Sequence, residues 1–157
     1  MELTAVLKLI HIASAIVMIG TGVGTAFFLW HAHRSRDLRS IVVTTRAALL
    51  TEWVFTLPAV LLLPVTGAWM LDATGRDIRL PWVAASLALY TIAGLVWVPS
   101  LVLKFRMRHL AVAALRRGAR VPAALGRQLR WWFALWWLIL LLALTILVLM
   151  VLRPSFG

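Results

Sequence analysis

The sequence predicts an all-α integral membrane protein, a four-helix bundle with its N and C termini outside, and three observations lead there. Of the 157 residues, 63% are hydrophobic and only 13% charged, and the mean hydropathy is +0.97, too apolar for a soluble domain. Four apolar runs each exceed the about 20 residues that a bilayer requires, which leaves no length for a separate soluble domain. The cations gather in two of the connections between these runs.

The first run extends from Leu3 to about Trp30 and ends in the basic segment His31 to Arg39. It is too long for a signal-peptide core, its basic residues follow rather than precede it, and no small-residue cleavage pattern is present. The second run, from about Ile41 to Leu71, contains Pro58 and Pro64. Each proline lacks an N–H, so it frees a carbonyl and bends the helix where a neighbour can satisfy that group. A polar turn from Asp72 to Asp77 leads to the third run, about Trp82 to Leu103, which Pro99 interrupts. The segment Lys104 to Arg130 is rich in Arg and Ala, with Gly118 and Pro122 as breakers, and predicts two short surface helices. The fourth run, Trp131 to Leu152, stops at Arg153 and Pro154. The spans at 3–30, 41–71, 82–103 and 131–152 make one domain over residues 1–157.

Orientation follows from the charges. Of the 16 cations, all but Lys8, Arg76, Arg79 and Arg153 fall between spans one and two, with the first turn of span two, or between spans three and four. The positive-inside rule therefore places those two connections in the cytoplasm and both termini, with the Asp72 to Leu80 turn, outside. A net charge of +11 would suggest nucleic acid in a soluble chain. Here it sets topology and attracts anionic lipid at the cytoplasmic face, at about 1 kcal/mol per cation, and nucleic acid is not an expected partner. The chain has no cysteine, which excludes disulfides, thiolate metal sites, iron–sulfur clusters and cysteine nucleophiles.

Ionisable groups inside spans are costly and mark candidates for function. Lys8, Arg46 and Lys104 lie near run ends, where long stems snorkel. Glu52 lies about 9 Å inward from Arg46 and needs a partner of its own. Lys104 is a candidate counter-ion, Thr21, Thr25 and Ser100 are candidate donors, and a protonated carboxyl would also serve. Glu52 is either a helix-to-helix clamp or part of a proton or substrate path. His11 is about 30 Å from His31, near the outer surface. Its face carries Ala15, Met18, Gly22 and Thr25, and Gly20 and Gly24 form a G-x-x-x-G pair. This bare backbone suits close helix packing or a flat cofactor, haem b, with His11 as an axial ligand and Met70 or Met150 as the second. His31 and His33 point about 200° apart on a helix, and with His109 they are interfacial. Trp30, Trp97, Trp131 and Trp132 fit an inner aromatic belt, and Trp69 and Trp82 an outer one. Trp136 and Trp137 lie deeper, packed against span two or lining a groove. No residue is assigned a catalytic role.

Several of these segments together resemble a family of bacterial four-helix membrane proteins, domain-of-unknown-function family 2269. They are Leu7 to His11 followed by Gly20, Thr21 and Gly22; Glu52-Trp53-x-Phe55-Thr56-x-Pro58-Ala59; Pro64-x-Thr66-Gly67; Ser86 to Tyr90 with Trp97-x-Pro99; and Leu149-Met150-Val151 before Pro154. The resemblance implies a location in the bacterial cytoplasmic membrane. Helix one, with His11 and Trp30-His31, is also similar to HemJ-type protoporphyrinogen oxidases, which implies haem binding through His11. The chain departs from them where an arginine is expected near Ala26 and a lysine early in span three, between Trp82 and Ser86, and these departures argue against oxidase activity. Three functional classes follow: a b-type haem redox protein, a non-catalytic accessory subunit of a membrane complex with a protein partner or a second copy, and a small transporter using Glu52. Four helices without an internal repeat leave little room for alternating access in the third.

Overall fold

A computed structural model describes residues 2–153, and among these the chain forms helices and no strand. The elements are α1 (Glu2–Arg34), α2 (Leu38–Thr51), α3 (Leu57–Ala73), α4 (Pro81–Arg116) and α5 (Ala123–Leu152). A π-helical stretch, Glu52–Thr56, joins α2 to α3, so the two form one span. Among the described residues four helices are thus long and apolar enough to cross a membrane. The stop expected at Pro154 lies outside the described residues.

The spans are longer at the basic end than the hydropathy runs suggest. Residues 104–130 do not form separate surface helices: α4 continues to Arg116 and α5 begins at Ala123. Arg and Ala are strong helix formers, and nothing breaks α4 until Gly118, which adopts a left-handed φ of 61°. The extension also has an apolar face, on which Ala111, Ala114, Leu125 and Leu129 are buried. At the start of α2 the Asp37 carboxylate accepts the N–H groups of Arg39 and Ser40 at 3.1 and 2.9 Å, a side-chain cap that starts the helix at Leu38.

One core joins all four spans near this basic end, with Ala26 and Leu29 from α1, Ile41 and Ala48 from α2, Met107 from α4 and Trp132 from α5. Towards the other end the bundle opens. There α3 packs on α1 and α4 on α5, while α3 has no backbone-level contact with α4 or α5 among the described residues. A side chain does reach across, since the Tyr90 hydroxyl donates to the Val60 carbonyl. Val60 is four residues before Pro64, so this is the carbonyl that the proline deprives of its helical donor. Ahead of Pro58 the ladder shifts instead, and the Leu57 N–H reaches back five residues to the Glu52 carbonyl.

The glycines expected to pack closely divide into two groups. A methyl on Gly20 or Gly24 would meet nothing within 4 Å, so the G-x-x-x-G pair is unused inside the chain. Gly22 is covered by Trp136, whose Nε1 lies 3.5 Å from where a Cβ would stand and donates to the Gly22 carbonyl at 3.1 Å. Trp136 therefore packs on α1 and not on span two, because α5 meets α1 at this level. Gly67 faces His11, whose Cε1 would lie 3.4 Å from an added Cβ. We predict that Gly67→Val lowers thermal stability in detergent by about 1–3 kcal/mol through overpacking, whereas Gly24→Ala causes no loss. Equal melting temperatures for the two variants would contradict this packing.

Candidate functional site

Glu52 stands where α2 gives way to the π-helical stretch, on the inner face that also carries Thr45 and Thr56, both buried. Opposite it on α4, Trp97 and Lys104 are two turns apart and so share one face. Lys104 Nζ donates to Glu52 Oε1 as an ion pair, and Trp97 Nε1 donates to Glu52 Oε2 at 3.0 Å. Both carboxylate oxygens are thus engaged. Lys104 is 3% exposed and Glu52 7%. The ammonium also lies 5.2 Å from the centre of the Trp132 ring, where the aromatic face attracts a cation. Three spans meet at this point.

The first span is tied in just beyond the pair. Thr21 and Thr56 bring their hydroxyls to 3.4 Å, and Thr21 also donates to the Val17 carbonyl at 2.8 Å. Each oxygen thereby has a partner within protein, as the absence of water demands. The cavity against Glu52, also lined by Trp53, Leu57, Trp97 and Leu101, measures about 10 Å³, room for at most a water molecule.

Lys104 was the expected counter-ion, but it is buried within α4 rather than snorkelling from a helix end. The other donor is Trp97, which the belt reading had assigned to the interface. Ser100 is occupied with the Trp97 carbonyl at 2.7 Å and Thr21 with Thr56, so neither serves Glu52. The seven-residue interval from Trp97 to Lys104 carries the signal, since it places both on the α4 face that meets Glu52.

His11 lies in the opposite half of the bundle, with Nδ1 2.9 Å from Thr66 Oγ1. Thr66 Oγ1 also lies 2.6 Å from the Leu62 carbonyl, and with its hydrogen directed there His11 Nδ1 is the donor of the pair. In that tautomer Nε2 keeps its lone pair, which is the arrangement of a metal-ligating imidazole held by its other nitrogen. His11 therefore fits an axial ligand, but Gly22 does not fit a porphyrin-receiving surface, because Trp136 covers it. Met70 sits one turn beyond Thr66 on α3 and Met150 in the last turn of α5, both partly buried. The side chain bonded to His11 is that of Thr66 and neither methionine. Among the described residues no group of three or more His, Asp or Glu side chains converges as a metal site.

Trp97→Phe should cost about 1.5–3 kcal/mol of thermal stability, the value of a hydrogen bond to a charged group. Trp53→Phe should cost almost nothing, since Trp53 is 57% exposed on the outer side of the same turn. Melting curves in one detergent check this, and equal losses would contradict the assigned donor.

No curated protein and no solved structure matches the chain. A family model described as predicted integral membrane protein matches residues 5–154. That range takes in all four spans, His11, Glu52 and Lys104, and the chain belongs to this family, DUF2269.

Proposed function

We propose that the chain is a non-catalytic accessory subunit of a larger complex in the bacterial cytoplasmic membrane, with both termini outside and its basic connections in the cytoplasm. The observation that carries this reading is the one-ended closure of the bundle. All four spans share a core at the basic end, whereas α1 with α3 and α4 with α5 form separate pairs at the other. Between such pairs a transmembrane helix of another chain finds apolar faces to pack against, and van der Waals packing is what drives association in lipid. The buried charges of Glu52 and Lys104 are already spent on one another, which supports a structural role. The charge distribution supports the orientation.

Transport draws less support. From Thr56 to Thr66, about 15 Å along the helix, the buried face of α3 offers Ala59 and Leu63, and the hydroxyl that reaches it from α4, that of Tyr90, is committed to the Val60 carbonyl. Groups able to relay a proton are missing from that stretch of α3.

A second reading, a b-type haem protein, is favoured by the Thr66 contact on His11 Nδ1, which with Nδ1 as donor keeps a lone pair on Nε2. Haem would supply one-electron chemistry there, held by His11 with Met70 or Met150 as the second ligand.

Native membranes dissolved in mild detergent should release the protein, colourless, in an assembly larger than one 17.5 kDa chain in its micelle. In intact cells an impermeant thiol reagent should label Gly75→Cys and not Arg117→Cys, and the reverse pattern would invert the orientation. A monomer with a Soret band lost in His11→Ala but kept in His33→Ala would move the assignment to the haem protein. A monomer that dissipates a proton gradient in vesicles, and ceases to in Glu52→Gln, would establish transport.

A further inference from the structure

We infer that the basic end of the bundle holds a binding site for the phosphate-bearing headgroup of an anionic phospholipid. A cavity of about 960 Å³ lies between the α1–α2 and α4–α5 connections, within the range of small-molecule sites. Arg34, Arg36, Arg39 and Arg120 line it, brought together from the end of α1, the start of α2 and the connection into α5. The one carboxylate on its wall is Asp37, already committed to the N–H groups of Arg39 and Ser40. Among the described residues the ion pair is Glu52 with Lys104, so none of these four guanidiniums is balanced by a salt bridge. Four like charges around one cavity repel one another, and a bound anion relieves that repulsion. Guanidinium forks match phosphate oxygens in pairs.

The surroundings favour a lipid over a free phosphate. The cavity lies where the spans end, and Trp30, an interfacial aromatic, stands on its wall with the Arg34 guanidinium 5.3 Å from its ring. That is headgroup depth. Leu38, Leu115 and Val121 add an apolar side that suits the glycerol and the start of the acyl chains. A zwitterionic headgroup would bring its own cation into the arginines. This is a saturable site on named side chains, distinct from the diffuse attraction of a basic surface, and it does not depend on whether the chain is an accessory subunit.

Native mass spectrometry of the protein in a neutral detergent tests it, with dioleoylphosphatidylglycerol, dioleoylphosphatidylcholine and inorganic phosphate titrated separately. Phosphatidylglycerol should saturate one site and bind roughly tenfold or more tightly than phosphatidylcholine. The double variant Arg36→Gln/Arg120→Gln should lose that preference, with Arg36→Gln alone losing part of it. Arg76→Gln/Arg79→Gln, which removes the same charge at the opposite end, should keep it. Gel-filtration profiles matching the wild type ensure that folded proteins are compared. Equal weakening in the two double variants would overturn the site in favour of diffuse attraction. Saturation by inorganic phosphate without preference for phosphatidylglycerol would overturn the lipid as its occupant.

Discussion

A carboxylate and an ammonium buried in a bilayer must hold each other, because neither has water to turn to. Glu52 and Lys104 are in that position, and the rest of the bundle is arranged around their meeting. The pair fixes the height of span two against span three. Trp97 completes the carboxylate's hydrogen bonds, and Trp132 of α5 lies over the ammonium. The pair also marks the point where the architecture changes. On its basic side the four spans close into one core, and beyond it they part into two helix pairs. As in soluble proteins, such a pair contributes little net stability over a well-packed apolar replacement but is costly to break by halves. It therefore acts more as a register pin than as a source of stability.

The second constraint comes from the backbone. Pro58 and Pro64 interrupt span two, and in lipid backbone that loses its helical partner requires a remedy. Before Pro58 the hydrogen-bond ladder slips to the π pattern, with Leu57 bonding to the Glu52 carbonyl. Before Pro64 the remedy comes from another span, through the Tyr90 hydroxyl. The first places a rare helical turn at the residue that carries the buried charge, and such turns are frequent at functional positions. The second is the bond that links α3 to α4 where their backbones have separated.

Much of this is readable in the sequence for a simple reason: in an apolar run a single charge or imidazole stands out. Glu52 and His11 are conspicuous on that ground, and Lys104 follows as the cation at a matching height. The four spans follow from hydropathy alone. Trp97 is harder to place, because tryptophan near a membrane boundary has a default explanation in the aromatic belt, and only its interval to Lys104 points elsewhere. The bond from Trp136 to Gly22 joins residues 114 positions apart, and no local pattern encodes such a pairing. The glycine pattern of α1 misleads in the same way: Gly20 and Gly24 look like the packing face, while Gly22 is the one that is packed. The arginines between Lys104 and Arg130 hide helix extensions, since charge masks the apolar face formed by Ala111, Ala114, Leu125 and Leu129. The cavity between the two basic connections depends on the fold bringing Arg120 beside Arg34, Arg36 and Arg39.

A double-mutant cycle on Glu52→Leu and Lys104→Met, read as thermal stability in one detergent, tests the central role of the pair most directly. Each single variant strands a charge in the core and should lose about 3 kcal/mol or more, whereas the double variant strands none and should recover most of that loss. If the two losses simply add in the double variant, the residues are not coupled and the pair is not what holds these spans in register.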